Sequence, residues 1–346
     1  MSQDTFTHDV IIIGQGLAGT VLSETLVRRG LRVMMFDTPR DGRASWVANG
    51  IVNPIVLRRT VLTWRASEML AVAGAFYREL ELRYDTTFWH PLPLVELFPT
   101  AQEAGIWQLR MKDPELARFL GRGPINDPAL AELPQPYGYG VVQRSAWLDV
   151  KALLLAHRER WLAAGGLEER AVTEDAVVRR PDGVELHGRY AQLLIACTGP
   201  FATVPGLTPV RGEGLTVRIP GFISRAMVHR GVFILPLGDE RYYVGATFAW
   251  DDVWSGPTAE GKRSLLDRLE RVVKVPIEVL EHWAGVRPAA KDRRPILGRT
   301  APHEAVLNGL GSRGVMLSPW CAQHLAEHVL DGSPIDPEVD VARFTS

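Results

Sequence analysis

Asp9-Val10-Ile11-Ile12-Ile13-Gly14-Gln15-Gly16-Leu17-Ala18-Gly19 joins a continuous apolar run to a glycine-rich turn. Val10 to Ile13 has no polar residue, as a strand buried on both faces of a parallel sheet requires. Behind the glycines, Leu17, Val21, Leu22, Thr25 and Leu26 recur at helical spacing, and Gly30 stands where a helix C-terminus needs it. Residues 31–36 form a second apolar run. This strand, turn, helix and strand give the G-x-G-x-x-G string its meaning as a dinucleotide site; alone the string is a weak signal. Gly14 permits the tight turn, Gly16 lets backbone approach a pyrophosphate, and Gly19 lets helix and sheet pack closely. Leu17 and Ala18 open a helix whose N-terminus offers N–H groups and a favourable dipole to that anion. Asp37 ends the second strand, where its carboxylate can accept the hydroxyls of the adenosine ribose.

Outward from this unit, 346 residues allow two domains. A 46% hydrophobic and 23% charged composition is that of an ordinary globular protein. The net charge of −1 leaves no basic surplus for bulk nucleic-acid binding. Arg58–Arg59 or Arg293–Arg294 could still form a local basic patch. Cys197 and Cys321 cannot build a disulfide framework and read as reduced, buried thiols. The histidines are scattered and no metal-ligand spacing occurs, so no metal is expected. Residues 10–27 lack a basic start and are interrupted by Gln15, three glycines and Glu24, which fits neither a secretion signal nor a membrane span. The expectation is a cytoplasmic protein without a membrane partner. Nothing in the sequence sets an oligomeric state.

Further along, residues 66–84 read as a helix and residues 88–99 as extended chain. Residues 147–164 read as a second long helix ended by Gly165-Gly166. Short strands are expected around 171–178, 184–187 and 193–197, with Pro181-Asp182-Gly183 as a turn. Residues 214–248 alternate and are rich in β-branched side chains, as in an antiparallel sheet. Residues 264–273 and 278–283 look helical, and residues 315–330 form a last helix. The fold class is therefore α/β, a parallel nucleotide-binding layer interrupted by antiparallel insertions.

The fingerprint does not separate FAD from NAD. Three other segments bear on it. Residues 44–54, with Ser45, Asn49 and Gly50, are small and turn-forming, and allow backbone to approach a flat ring. Ala196-Cys197-Thr198-Gly199 runs from a strand into a small-residue turn beside the first layer. Gly311-Ser312-Arg313-Gly314-Val315 opens a helix whose N-terminus could favour negative charge on a reduced flavin.

Together with the first motif and Asp37, these segments, RPAAKDRRPILG at 287–298 and GLGSRGVMLSP at 309–319 resemble the D-amino acid oxidase family of FAD-dependent oxidoreductases. Glycine oxidase and sarcosine oxidase are members. The resemblance implies a discontinuous Rossmann-type FAD-binding domain, placed at 1–80, 146–213 and 285–346, and an antiparallel-sheet substrate domain at 81–145 and 214–284. It implies non-covalent FAD, with Gly14, Gly16, Leu17, Ala18 and Gly19 at the pyrophosphate and Asp37 at the ribose. Val172 would meet the adenine, Thr198 and Gly199 the first layer's edge, and Ser45, Asn49, Gly50 and Gly311 to Val315 the flavin. The Gly-Asp-Ala motif of flavin hydroxylases is absent from the corresponding region.

The chemistry implied is oxidation of a C–N bond in a small amine or amino acid, by hydride transfer to flavin N5, with oxygen or another acceptor taking the electrons. Arg287 matches the arginine that grips the substrate carboxylate in glycine oxidase, a role that suits a planar guanidinium. The alternative is an ion pair with Asp292. Tyr242 and Tyr243 are the other catalytic candidates; being adjacent on a strand, one should face the cavity and its neighbour should not. Trp250, Asp251, Asp252 and His90 could border the site, and Arg58 and Arg59 could attract an acidic substrate. Cys321 is not expected to bind flavin covalently. Two other activities stay open. One is trimming of a carboxymethylaminomethyl group on tRNA, a reaction of the same family. The other is a flavin-binding subunit without turnover.

Overall fold

The computed structural model describes residues 6–345. Strand β1 (His8–Ile13), helix α1 (Leu17–Arg28) and strand β2 (Val33–Asp37) form the expected βαβ unit. β1 and β2 pair in parallel, Val10 opposite Val33 and Ile13 opposite Phe36. Helix α2 (Ala66–Tyr84) fills its expected span, and strand β3 (Leu94–Leu97) lies in the extended stretch after it. Helix α3 (Val150–Ala163) begins later than the sequence periodicity suggests. Ala146–Leu148 is instead a strand, with Leu148 opposite Trp89. Asp149 then starts the helix, its carboxylate accepting the Ala152 N–H at 2.9 Å.

Strand β4 (Arg189–Ala196) is the other parallel neighbour of β1. Ahead of it, residues 171–178 are only strand from Val177 onward; Glu174–Ala176 is a 3-10 turn. Strand β5 (Leu207–Arg218), β6 (Met227–His229), β7 (Phe233–Gly238) and β8 (Arg241–Gly245) supply the expected antiparallel region. Helix α4 (Ala259–Glu270) starts behind Thr258, whose hydroxyl accepts the Gly261 N–H. Strand β9 (Glu278–Ala290) includes residues 278–283, which the sequence had suggested as helix. The correction has a physical reason. β9 pairs with β5 from Leu207 opposite Ala290 to Arg218 opposite Glu278, and that ladder overrides weak helical spacing. Pro288 fits because β9 is an edge strand. Strand β10 (Glu304–Asn308) and helix α5 (Gly314–Asp331) close the chain's main elements.

The first sheet runs Leu167–Glu169, β2, β1, β4. The far edge of β4 is shared. Gly183–Leu186 pairs antiparallel with its start, and β10 pairs in parallel with its end. The second sheet runs β9, β5, β8, β7, β6, β3, Tyr139–Val142, Leu120–Gly121. The expected boundaries at 213/214 and 284/285 fall inside β5 and β9, so both strands run on past them as unbroken strands. One apolar core joins β1 to α1, α2, α3 and α5 through Val10, Leu22, Tyr77, Leu153 and Leu325. A second joins the other sheet to α4 through Val217, Val244, Leu265 and Leu269. Each such leucine contributes about 1.5–3 kcal/mol by leaving water. Among the described residues no helix is long and apolar enough to cross a membrane.

Polar groups stitch α1 to α3 within the first core. Glu24 is buried and accepts from Arg83, Tyr84 (2.6 Å) and Trp161 (2.9 Å). His157, fully buried, meets Ser23 Oγ at 2.9 Å through Nε2 and Gln15 Nε2 at 3.3 Å through Nδ1. Ser23 donates to Thr20 O, so the pattern places the imidazole proton on Nε2. Burial pushes His157 from 6.5 down to about 4. Between those values the unfolded chain binds a proton that the folded one refuses. Stability is therefore full above pH 6.5 and falls as pH drops toward 4, by up to about 1.4 kcal/mol per pH unit. Melting temperature measured from pH 7 to pH 5 should decline, and His157→Asn should flatten that slope. An unchanged slope would show that another group carries the dependence.

Candidate functional site

A cavity of about 770 Å³ is lined by residues of both sheets. At one end lies the β1–α1 turn. Gly14 has φ 100°, and a Cβ there would stand 2.6 Å from Cys197 O. A Cβ on Gly19 would stand 1.9 Å from Gly14 O, so this glycine sets the turn but does not itself line the cavity. Gly16, Leu17 and Ala18 do line it. No side chain caps α1 at Gly16; Ser45 Oγ accepts the Leu17 N–H at 3.1 Å, and the Ala18 N–H has no acceptor among the described residues. An uncapped helix start beside glycine fits an anion.

Asp37 is almost fully buried at this end. One carboxylate oxygen accepts the Gln15 N–H at 3.0 Å; the other accepts from Arg158 at 2.9 Å and Arg43 at 3.4 Å. Gln15 is the link the sequence did not reveal. Its side chain is fully buried, donating to Leu154 O and accepting from Arg158 at 2.8 Å. The loop glutamine thus anchors the arginine that anchors Asp37. Val172, Thr198 and Gly199 line the cavity nearby, and Asn308 donates to Gly199 O at 2.9 Å.

Ser45, Asn49 and Gly50 line another wall, with Gly311, Ser312, Arg313, Gly314 and Val315. Ser45 lies on the short helix Ala44–Val47. A Cβ on Gly50 would overlap Leu148 O, at 1.9 Å, so that loop presses on backbone. Arg313 ties the two segments together, donating to Asn53 O (3.0 Å) and Thr63 Oγ1. α5 starts without a side-chain cap, as α1 does, and Tyr77 donates to Val315 O at 3.0 Å. Two uncapped helix starts on one cavity fit a long anionic dinucleotide such as FAD, one at the pyrophosphate and one at an electron-rich ring edge.

The remaining wall is built by β5, β8 and β9 and the segment after β8. Arg287 reaches into the cavity, with its guanidinium 4.4 Å from the Phe248 ring centroid and donating to Thr247 O at 3.1 Å. No acidic side chain pairs with it among the described residues; Asp292 pairs with Arg343 at 2.8 Å. Burial alone pushes Arg287 down to about 10, which leaves it charged at neutral pH. Gly245, Ala246, Phe248 and Trp283 line the same cavity.

The two tyrosines are corrected. Neither lines the cavity. Tyr242 is buried in the second core, its hydroxyl donating to Phe222 O and accepting from Ser224 N. Tyr243 lies behind the wall, donating to Val47 O at 2.8 Å with its ring 4.9 Å from Trp283. The hydroxyls are taken up by backbone, so they brace the site. His90 stacks on Trp147 away from the cavity, Trp250 is exposed, and Asp252 accepts from Arg211 through its carbonyl. Arg58 lines the cavity and Arg59 does not. Cys321 is fully buried in α5 and off the cavity, whereas Cys197 lines it from the end of β4; burial raises both thiols. Among the described residues no His, Cys, Asp and Glu cluster could hold a metal.

The glycine contacts rank two substitutions. Gly19→Ala forces backbone from backbone and should cost about 1–3 kcal/mol or more, and weaken FAD binding at least tenfold. Gly16→Ala meets only the movable Ser45 Oγ at 3.3 Å and should be milder in stability. Titration of both apoproteins with FAD, alongside their melting temperatures, checks the order; equal losses would refute the packing account.

The FAD dependent oxidoreductase family (DAO) matches residues 9–328. The tRNA 5-methylaminomethyl-2-thiouridine biosynthesis bifunctional protein MnmC of Marinobacter nauticus is 26% identical over 93% of the chain. The chain spans only 56% of that relative's length. Glycine oxidase of Pseudomonas putida is 25% identical, with 96% of this chain and 99% of that one covered. Among solved structures, iminodiacetate oxidase of Chelativorans sp. BNC1 superposes with a TM-score of 0.78 at 23% identity, over 97% of this chain and 98% of that one. This likeness shows the shared fold. Family match, cavity and helix starts agree, and the chain belongs to the DAO family of FAD-dependent oxidoreductases.

Proposed function

We propose that the chain oxidises the C–N bond of a small amine or amino acid that carries a carboxylate. The observation that carries this reading is Arg287, a desolvated guanidinium in the cavity with no acidic partner among the described residues. Such a group needs an anion, and its fork suits a carboxylate. Thr247 O fixes one guanidinium nitrogen, and the Phe248 ring lies 4.4 Å from the guanidinium. FAD, when bound, would supply the hydride acceptor. The protein's share is to hold the substrate carbon in line, which requires position more than a dedicated acid or base. Oxygen, or another acceptor, takes up the electrons. The two sheets would divide the work, one holding FAD and the other covering the substrate.

Anaerobic addition of amines and amino acids to the yellow protein tests this reading directly. Bleaching of the flavin bands by a carboxylate-bearing amine is the expected result. Arg287→Ala should raise KM for such a substrate about 100-fold, with little change for an amine lacking a carboxylate. Equal losses for both would sink the assignment of Arg287.

A second reading, trimming of a modified tRNA uridine, draws on the MnmC relatives. It also draws on the Phe248 and Trp250 rings, stacked at 6.4 Å and over half exposed, since exposed aromatics can stack on an unpaired base. A salt-sensitive gel shift with tRNA, and flavin reduction by that tRNA alone, would favour it.

A further inference from the structure

The loop after β8, residues 246–258, carries two groups that touch Arg287. Thr247 O accepts from its guanidinium at 3.1 Å, and the Phe248 ring centroid lies 4.4 Å from it. No residue of this loop is buried. Trp254 stacks on Phe201 at 5.0 Å, but the loop sends no side chain into an apolar core. Its place is therefore set mainly by polar ties.

Those ties come from two residues of β5, Arg211 and Glu213, both buried. They alternate along the strand with Gly212 and Gly214, across which Arg287 and Trp283 lie, so they stand on the opposite face. Glu213 holds both ends of the loop. At the entry its backbone clasps Thr247: the Glu213 N–H donates to Thr247 Oγ1 at 2.9 Å, and Glu213 O accepts the Thr247 N–H at 3.0 Å. At the exit its carboxylate accepts the Thr258 N–H and the Thr258 hydroxyl, each at 2.8 Å. His282 Nε2 meets the same carboxylate at 2.9 Å. Gly261, in the first turn of α4, makes room; a Cβ there would overlap that carboxylate. Arg211 holds the middle. Its backbone exchanges hydrogen bonds with Ala249 at 2.9 and 3.0 Å, and its guanidinium donates to Asp252 O at 2.7 Å and to Ser255 Oγ.

A buried carboxylate is costly to desolvate, and apolar residues of similar volume often serve stability as well or better. What it does that a leucine cannot is accept several donors in fixed directions. Glu213 does not line the cavity, so any effect on the site passes through the loop. Resting on the reading of Arg287 as the group that takes a substrate carboxylate, we propose that Glu213 is a positioning residue for that anion site. By pinning both ends of the loop it sets the Thr247 carbonyl and the Phe248 ring, and these set the direction of the Arg287 guanidinium.

The test uses the FAD-loaded protein with benzoate, a carboxylate on a flat apolar ring, and with benzamide as its uncharged counterpart. Kd is read by calorimetry and by the change in the flavin spectrum. Wild type, Glu213→Ala, Arg287→Ala and the double variant form a cycle. Glu213→Ala should weaken benzoate about 10-fold when Arg287 is present and less than about twofold when it is absent, because both act through one contact. Benzamide and FAD affinity should change far less, whereas general damage to the fold would lower all three together. Equal weakening of benzoate and benzamide, or the same loss with and without Arg287, would overturn the role of Glu213 and leave the reading of Arg287 standing. If Arg287→Ala keeps normal benzoate binding, or the wild type binds none, the reading of Arg287 fails and the positioning role falls with it. Should Glu213→Ala not fold, Thr258→Val takes its place in the cycle. It removes one donor to the carboxylate and should weaken benzoate about threefold, again only with Arg287 present; no such coupling rejects the role.

Discussion

The dinucleotide end of the molecule depends on a contact made without side chains. Gly14 O occupies the place where a Cβ of residue 19 would stand, at 1.9 Å. That closeness draws the first turn of α1 onto the end of β1 and shortens the loop to residues 14–16. Its helix start then points into the cavity rather than across the sheet. A loop so short gives Gln15 nowhere to go but inward. Its amide therefore bonds α3 and Arg158, and its backbone N–H reaches Asp37. The uncapped helix start and the placing of the Asp37 carboxylate are thus consequences of one steric constraint. Neither could shift without the other.

The other end of the cavity obeys a related rule on the β5–β9 edge. Gly212 and Gly214 lie under the large side chains of the neighbouring strand; Cβ atoms there would stand 2.0 Å from the Arg287 guanidinium and from the Trp283 ring. On β9 itself, Gly285 admits the helix Ala44–Val47, whose Val47 Cγ2 would be 2.5 Å from an added Cβ. Glycine on one strand therefore lets a functional side chain of the other lie flat across it. Both strands are continuous through the second sheet, so a hydrogen-bonded register, not a linker, sets where Arg287 stands relative to the Ser45–Gly50 wall. A ladder register is a stiff way to hold a side chain in place.

These arrangements also explain what the sequence could and could not disclose. The βαβ unit was legible because its periodicities, glycines and closing Asp37 all agree locally. Of the residues assigned to the cofactor, all but Gly19 line the cavity. Residues 278–283 were misread because the ladder that makes them strand comes from β5, some seventy residues earlier, and leaves no local trace. With that span taken as strand, period-two alternation would have grouped Trp283, Gly285 and Arg287 on one face, and all three line the cavity. The tyrosines failed for the complementary reason. Strand alternation limits which of two neighbours faces a site, but whether either reaches it depends on what stands in front. For Tyr243 that is Trp283, against which its ring packs. Gln15 and Trp283 carried no signal of their own, since their places come from packing between distant elements.

Charge is where composition misleads most. A chain with a net charge of −1 nonetheless gathers seven arginines and one aspartate on a single cavity. A cleft lined by one sign of charge focuses its field and concentrates anions from solution. Arginine is the residue that can do this when buried. Desolvation brings Arg287 down to about 10, still protonated at neutral pH. The same burial acting on a lysine, which starts from about 10.4, would carry it into the neutral range and cost part of its charge. The preference for guanidinium on these walls follows from desolvation, before any geometry of recognition is considered. Its planar fork then adds selectivity for carboxylate and phosphoryl groups to a charge that burial could not remove.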